Sequence, residues 1–92
     1  MITNNQSLSN DFQVALTIWE YNQRGEPIDY RKLSEVMPLS GRELNSILDR
    51  GYDLCIFDYE WKLIGKTWWY TIKIDESFEP FVRGLHNSTE EL

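Results

Sequence analysis

Residues 28–50, IDYRKLSEVMPLSGRELNSILDR, constrain the fold more than any other stretch of this chain. They read as two short amphipathic helices joined by a tight turn, and a Trp- and Lys-rich alternating segment follows almost at once. Asp29 is placed to cap the first helix, with Tyr30, Leu33, Val36 and Met37 on its inner side. Pro38 stops it, because proline pushes the preceding residue out of the α region. Ser40 and Glu43 have the spacing of a capping box, which opens a second helix over 40–50. Leu44, Ile47 and Leu48 give that helix one apolar stripe, and Gly51 is its expected C-terminal stop.

Upstream, Ser9 or Asn10 is expected to cap a first helix, with Leu8 as a hydrophobic staple. Phe12, Ala15, Leu16 and Trp19 recur at i, i+3, i+4 and i+7 and predict its buried stripe, and Gly25 ends it. Glu26-Pro27-Ile28 leaves room for no more than a token strand. From Leu54 the period becomes two. Cys55, Phe57, Tyr59, Trp61 and Leu63 share one parity, and Asp58, Glu60 and Lys62 the other. Beyond a turn near Gly65-Lys66, Trp68, Tyr70, Ile72 and Ile74 alternate with Thr67, Trp69, Thr71 and Lys73. This predicts a β-hairpin over 54–74, in which DYEW (58–61) either continues the strand or bulges. Phe78, Phe81, Val82 and Leu85 predict a short C-terminal helix with Pro80 in its first turn. Residues 1–8 and 87–92 are polar and expected to be flexible, which leaves one domain over 9–86.

A chain of 92 residues buries only about two thirds of the surface it exposes when unfolded. The core is therefore small, and a partner or a second copy is expected to help. The single cysteine, Cys55, cannot form an intrachain disulfide, and within LCIF it reads as a small buried hydrophobe in a reducing, cytoplasmic setting. No segment approaches the ~18 apolar residues needed to cross a membrane, and the first residues lack the basic and apolar regions of a signal peptide. There is no Gly-rich phosphate loop, no Cys/His metal spacing and no nucleophile–base pair. His86, beside the polar tail, reads as a solvated surface residue. The expectation is a protein without catalytic residues, metal or cofactor.

The order helix, short strand, helix, helix, hairpin, helix resembles the winged helix-turn-helix domains of small prokaryotic transcription regulators. The resemblance covers about residues 9–86, and Ile28, Leu33, Met37, Ser40, Leu44, Ile47 and Leu48 fall where that family keeps its core and N-cap. It implies an α+β fold with a three-helix core, a two-stranded wing and a short C-terminal helix. It also implies a regulator that binds double-stranded DNA, with helix 40–50 in the major groove and hairpin 54–74 as the wing. Winged helices also serve as protein-interaction modules, since fold does not fix function.

The outer arc of helix 40–50 carries Arg42, Asn45, Ser46 and Asp49. Arginine reads guanine bidentately, asparagine reads adenine, and serine reaches bases or phosphates; the same four residues also suit an ordinary solvated helix face. Arg31 and Lys32 begin the preceding helix, where the resemblance implies phosphate contacts. Lys62 and Lys66 flank the hairpin tip, to touch phosphate or to guard an exposed strand edge against aggregation. With Ser40, these residues are the expected DNA contacts. Trp68 and Trp69 must point to opposite faces of a strand; Trp68 is assigned to cross-strand packing and Trp69 to a partner surface. A homodimer is expected to use Phe78, Phe81, Val82 and Leu85 together with the first-helix face around Trp19. The net charge is −6, and the only locally basic segment is 61–74, which holds Lys62, Lys66 and Lys73 without an acid. That balance supports an alternative: an acidic interaction module whose aromatic hairpin docks a basic protein.

Overall fold

The computed structural model describes residues 9–90, and the expectations for Leu8, for the rest of 1–8 and for 91–92 lie outside them. The fold is α+β: α1 (Asn10–Arg24), α2 (Tyr30–Val36), α3 (Gly41–Asp53), β1 (Phe57–Ile64), β2 (Thr67–Ile74) and α4 (Glu79–Glu90). Three helices start where short polar side chains satisfy a first-turn N–H. Ser9 Oγ accepts from the Phe12 amide, Asp29 Oδ1 from Lys32 at 2.8 Å, and Ser40 Oγ from Glu43 at 3.1 Å. The Glu43 carboxylate does not close the box on Ser40; it accepts from Asn10 Nδ2 at 2.7 Å and ties α3 to α1. Gly25 ends α1 at φ 72°, in the left-handed region expected of it.

The core gathers Val14, Ala15, Ile18 and Trp19 of α1, Ile28, Leu33 and Met37 around α2, Leu44, Ile47 and Leu48 of α3, Phe57, Ile72 and Ile74 of the hairpin, and Val82 of α4. The α3 stripe is the expected one. The α1 stripe is rotated from the expected one. Phe12 is exposed at the rim, its ring 6.0 Å from Phe81, and Leu16 is half-buried, because α1 meets α3, β2 and α4 at once and buries the adjacent pairs 14–15 and 18–19. The seven residues of α2 offer the core only Leu33, joined one turn on by the C-cap residue Met37; Tyr30 and Val36 are exposed.

Gly51 does not stop α3, which continues to Asp53. It is buried, and a Cβ built on it would lie 2.2 Å from the Phe57 ring, so glycine serves close approach to β1. The stop falls at Cys55, which takes φ 61°; the Ile56 amide donates to Gly51 O at 2.7 Å and the Cys55 amide to Tyr52 O at 3.1 Å. This is a Schellman closure with cysteine in the usual glycine place. Cys55 is accordingly exposed, not the small buried hydrophobe its apolar neighbours suggest. The strand begins at Phe57 and pairs without a bulge: Phe57↔Ile74, Tyr59↔Ile72, Trp61↔Tyr70, Leu63↔Trp68. Gly65 at φ 64° opens the two-residue turn between Ile64 and Thr67. The expected token strand reduces to a bridge, Asp29↔Thr71, with the Ile72 amide donating to Ile28 O at 2.8 Å.

Helix α4 runs beyond 86, so residues 87–90 are helical rather than part of a flexible tail. His86 is half-buried, its ring 4.7 Å from that of Trp19, not a solvated residue. Trp19 Nε1 donates to Glu79 Oε2 at 2.8 Å, and Arg83 pairs with the same carboxylate at 2.7 Å. Trp19 and Val82 are thus core residues of their own chain and offer no dimer surface. Among the described residues no helix is long and apolar enough to cross a membrane.

Candidate interaction surface

The two strands of the hairpin have eight residues each. At about 3.3 Å per residue such a strand spans about 26 Å, whereas the two shorter dimensions of the molecule are 27 and 23 Å. The core reaches only the base of the hairpin. Phe57, Ile72 and Ile74 are buried, while Trp61, Leu63, Trp68 and Tyr70, on the same face, lie beyond it and are 48–63% exposed. Trp68 has the parity of core residues but not their depth, and lies exposed opposite Leu63 of the other strand; Trp69, on the other face and assigned to a partner surface, is half-buried.

The outlying side chains are organised. Trp61 and Tyr70 sit directly opposite, ring centroids 4.7 Å apart; Tyr70 stacks on Tyr59 across the diagonal at 5.1 Å and 12°; Tyr59 meets Tyr52 of α3 at 5.7 Å. A ladder of four rings therefore runs from the last turn of α3 along the hairpin, with Leu63 and Trp68 paired beyond it. Burial pushes the Tyr59 phenol up from its ordinary range, and the nearby Asp49 carboxylate adds to this. A carboxylate thus neighbours the ladder at Tyr59. The aromatic hairpin, with Trp61 and Tyr70, is the surface that the sequence offers for an interaction module, but Tyr52 and Leu63 are not marked by it. The available signal was strand length: an alternating run longer than the core beneath it is deep.

The other hairpin face is charged. Asp58, Glu60, Lys62, Thr71 and Lys73 line an open cleft of about 520 Å³, which Asn22, Gln23 and residues 25–28 also line, with Asp75, Glu76 and Glu79. Lys62 lies there, 3.5 Å from Glu60, on the face opposite the rings that meet α3.

The expected DNA contacts are not brought together. Ser40 is occupied as a cap, Ser46 accepts from Arg50 Nη1 at 2.8 Å, and Arg31 faces Glu35 at 3.7 Å. Arg42 and Asn45 are exposed on α3, and Lys66 is exposed in the turn; none has a polar side-chain partner among the described residues. Arg31 and Lys32 do share a cleft of about 430 Å³ with Asp29, Glu35 and Thr67–Tyr70 of β2. Of the expected dimer residues, Phe81 is exposed, and Phe78 and Leu85 are half-buried.

No family model, curated protein or solved structure matches this chain. The residues alone carry the functional reading. Among those described, no three His, Cys, Asp or Glu side chains gather as a metal site.

Proposed function

We propose that this chain is a winged-helix-like protein-interaction module that docks a partner on the ring ladder of its hairpin. The observation that carries this reading is the exposed, contiguous set Tyr52, Trp61, Leu63, Trp68 and Tyr70. Large aromatic side chains bury about 150–250 Å² each, so five residues about half to two-thirds exposed leave on the order of 500 Å² of apolar surface. Patches of that size on small domains mark interfaces, and tryptophan and tyrosine are the residues that most often dominate binding energy. The bridge between Asp29 and Thr71 supports the winged-helix layout, because it sets the segment before α2 against the hairpin. At the ring ladder, beside Asp49, the net charge of −6 favours approach of a basic side chain.

The test replaces Trp61 and Trp68 together by alanine and places a photo-crosslinking side chain at Leu63. Each cross-strand pair stabilises the hairpin by only about 0.2–1 kcal/mol, so the double variant is expected to stay folded. Its specific crosslink to a partner is expected to fall by about tenfold or more, since single anchors of this kind contribute ~2 kcal/mol. An equal crosslink yield from the folded double variant refutes the reading.

A second reading, a DNA-binding regulator, is favoured by Arg42 and Asn45, which are exposed and unpaired one turn apart on α3. It uses α3 as the groove reader, with Arg31, Lys32 and Lys66 on phosphates.

A further inference from the structure

We propose that the outer edge of β2 at Trp68–Tyr70 takes up an extended peptide bearing an acidic side chain, as an added strand of the sheet. The proposal rests on the protein-interaction reading and specifies a second surface of the same hairpin. In β2, the Ile72 amide donates outward to Ile28 O at 2.8 Å, and the Ile74 amide outward to Asn22 Oδ1 at 3.0 Å. Residues alternate along a strand, so the N–H and C=O of Trp68 and the N–H of Tyr70 address the same edge. There the pairing has ended at the Asp29↔Thr71 bridge, and among the described residues these groups have no hydrogen-bond partner.

Edges of this kind are ordinarily blunted by proline, a bulge or a charge on the strand. The segment Thr67–Tyr70 has none of these. It borders the cleft of about 430 Å³ whose other wall is the start of α2, and a strand needs about 4.8 Å of lateral room. The charges of that wall choose the occupant. Asp29 is occupied in capping the Lys32 amide, and Glu35 faces Arg31. The Lys32 ammonium remains, exposed and without a side-chain partner among the described residues, so an acidic residue in the incoming strand is complementary. Main-chain bonds to Trp68 and Tyr70 would hold the peptide, and its alternate side chains would meet the ring ladder or Trp69.

The experiment selects short random peptides from a display library on the immobilised full chain, then titrates an enriched peptide into isotope-labelled protein. Enriched sequences are expected to share an acidic position within a β-prone stretch. Exchange of the Trp68 and Tyr70 amides with solvent is expected to slow about tenfold or more. Lys32→Glu, or N-methylation of alternate peptide bonds in the ligand, is expected to weaken binding about tenfold, the equivalent of ~1.4 kcal/mol. Absence of any enriched peptide overturns the proposal, as does protection of these amides by self-association without peptide. Peptides that shift Trp61 and Leu63 while leaving Trp68 and Tyr70 exchange unchanged overturn the edge site but leave the ring-ladder reading intact. Loss of the Leu63 crosslink with edge binding retained has the opposite meaning.

Discussion

Gly51 lies inside a helix, where alanine ordinarily adds about 1 kcal/mol of stability. Here the added methyl meets the ring of Phe57, itself buried and unable to swing into solvent. Overpacking of this kind costs about 1–3 kcal/mol, so Gly51→Ala is expected to lower stability despite its better helix propensity. Urea unfolding decides the sign; a gain would show that β1 can retreat from α3. Gly25 contrasts with it, since nothing lies within 4 Å of a Cβ there and only its left-handed backbone requires glycine. Sequence alone could not separate the two. Both follow an apolar helical pattern, and the reason for Gly51 is a residue on another element. Cys55 was misplaced for a related cause: its apolar neighbours pointed inward, but the turn that reverses α3 into β1 turned it outward.

At the scale of elements, the helix starts were legible because a cap is a local bond between residues two or three apart. Ser9, of the two candidates Ser9 and Asn10, and Asp29 and Ser40 cap their helices, although Glu43 does not complete the box that its spacing from Ser40 predicts. Packing between elements was not legible. Beside the ring contacts of Phe12 with Phe81 and Trp19 with His86, α1 and α4 are tied by one carboxylate, Glu79, which accepts from the Trp19 indole and from Arg83. The indole bond first, and the guanidinium second, hold the Glu79 carboxyl below the ordinary glutamate range. A group depressed in the folded state stabilises fully above its unfolded pKa and loses that contribution as pH falls through the folded one. The docking of α4 is therefore expected to weaken as pH falls below about 4.3, the unperturbed glutamate value. The Trp19 indole proton should titrate by NMR with a midpoint under that value, and Glu79→Gln should flatten the acid limb of the stability curve. A midpoint at or above the ordinary value would sever this link.

For the molecule as a whole, alternation told which hairpin residues share a face but not how far the core extends beneath them, and the candidate surface lies in that difference. The hairpin outreaches a small helical body, so one face is divided between a buried base and an exposed ring ladder. Charge is divided as well. Lys62 lies on the opposite face from the rings that meet α3, leaving Arg31, Lys32 and Lys66 as the remaining expected phosphate contacts. About three such contacts imply a slope of roughly −3 for log affinity against log salt. Under the DNA reading, mixed duplex at low salt is expected to shift at protein concentrations on the order of 10 µM, and Arg42→Ala to weaken that shift. No shift, and no response to Arg42→Ala, would remove DNA from consideration and leave the interaction reading untouched. The division between base and tip has an optical consequence too. Trp19 is sealed in the core while Trp61 and Trp68 stand in water, so indole emission from this chain is a mixture of blue and red components. A partner that covers the hairpin tip removes the red component alone, whereas unfolding abolishes the blue one, so the chain carries its own spectroscopic means of distinguishing binding from melting.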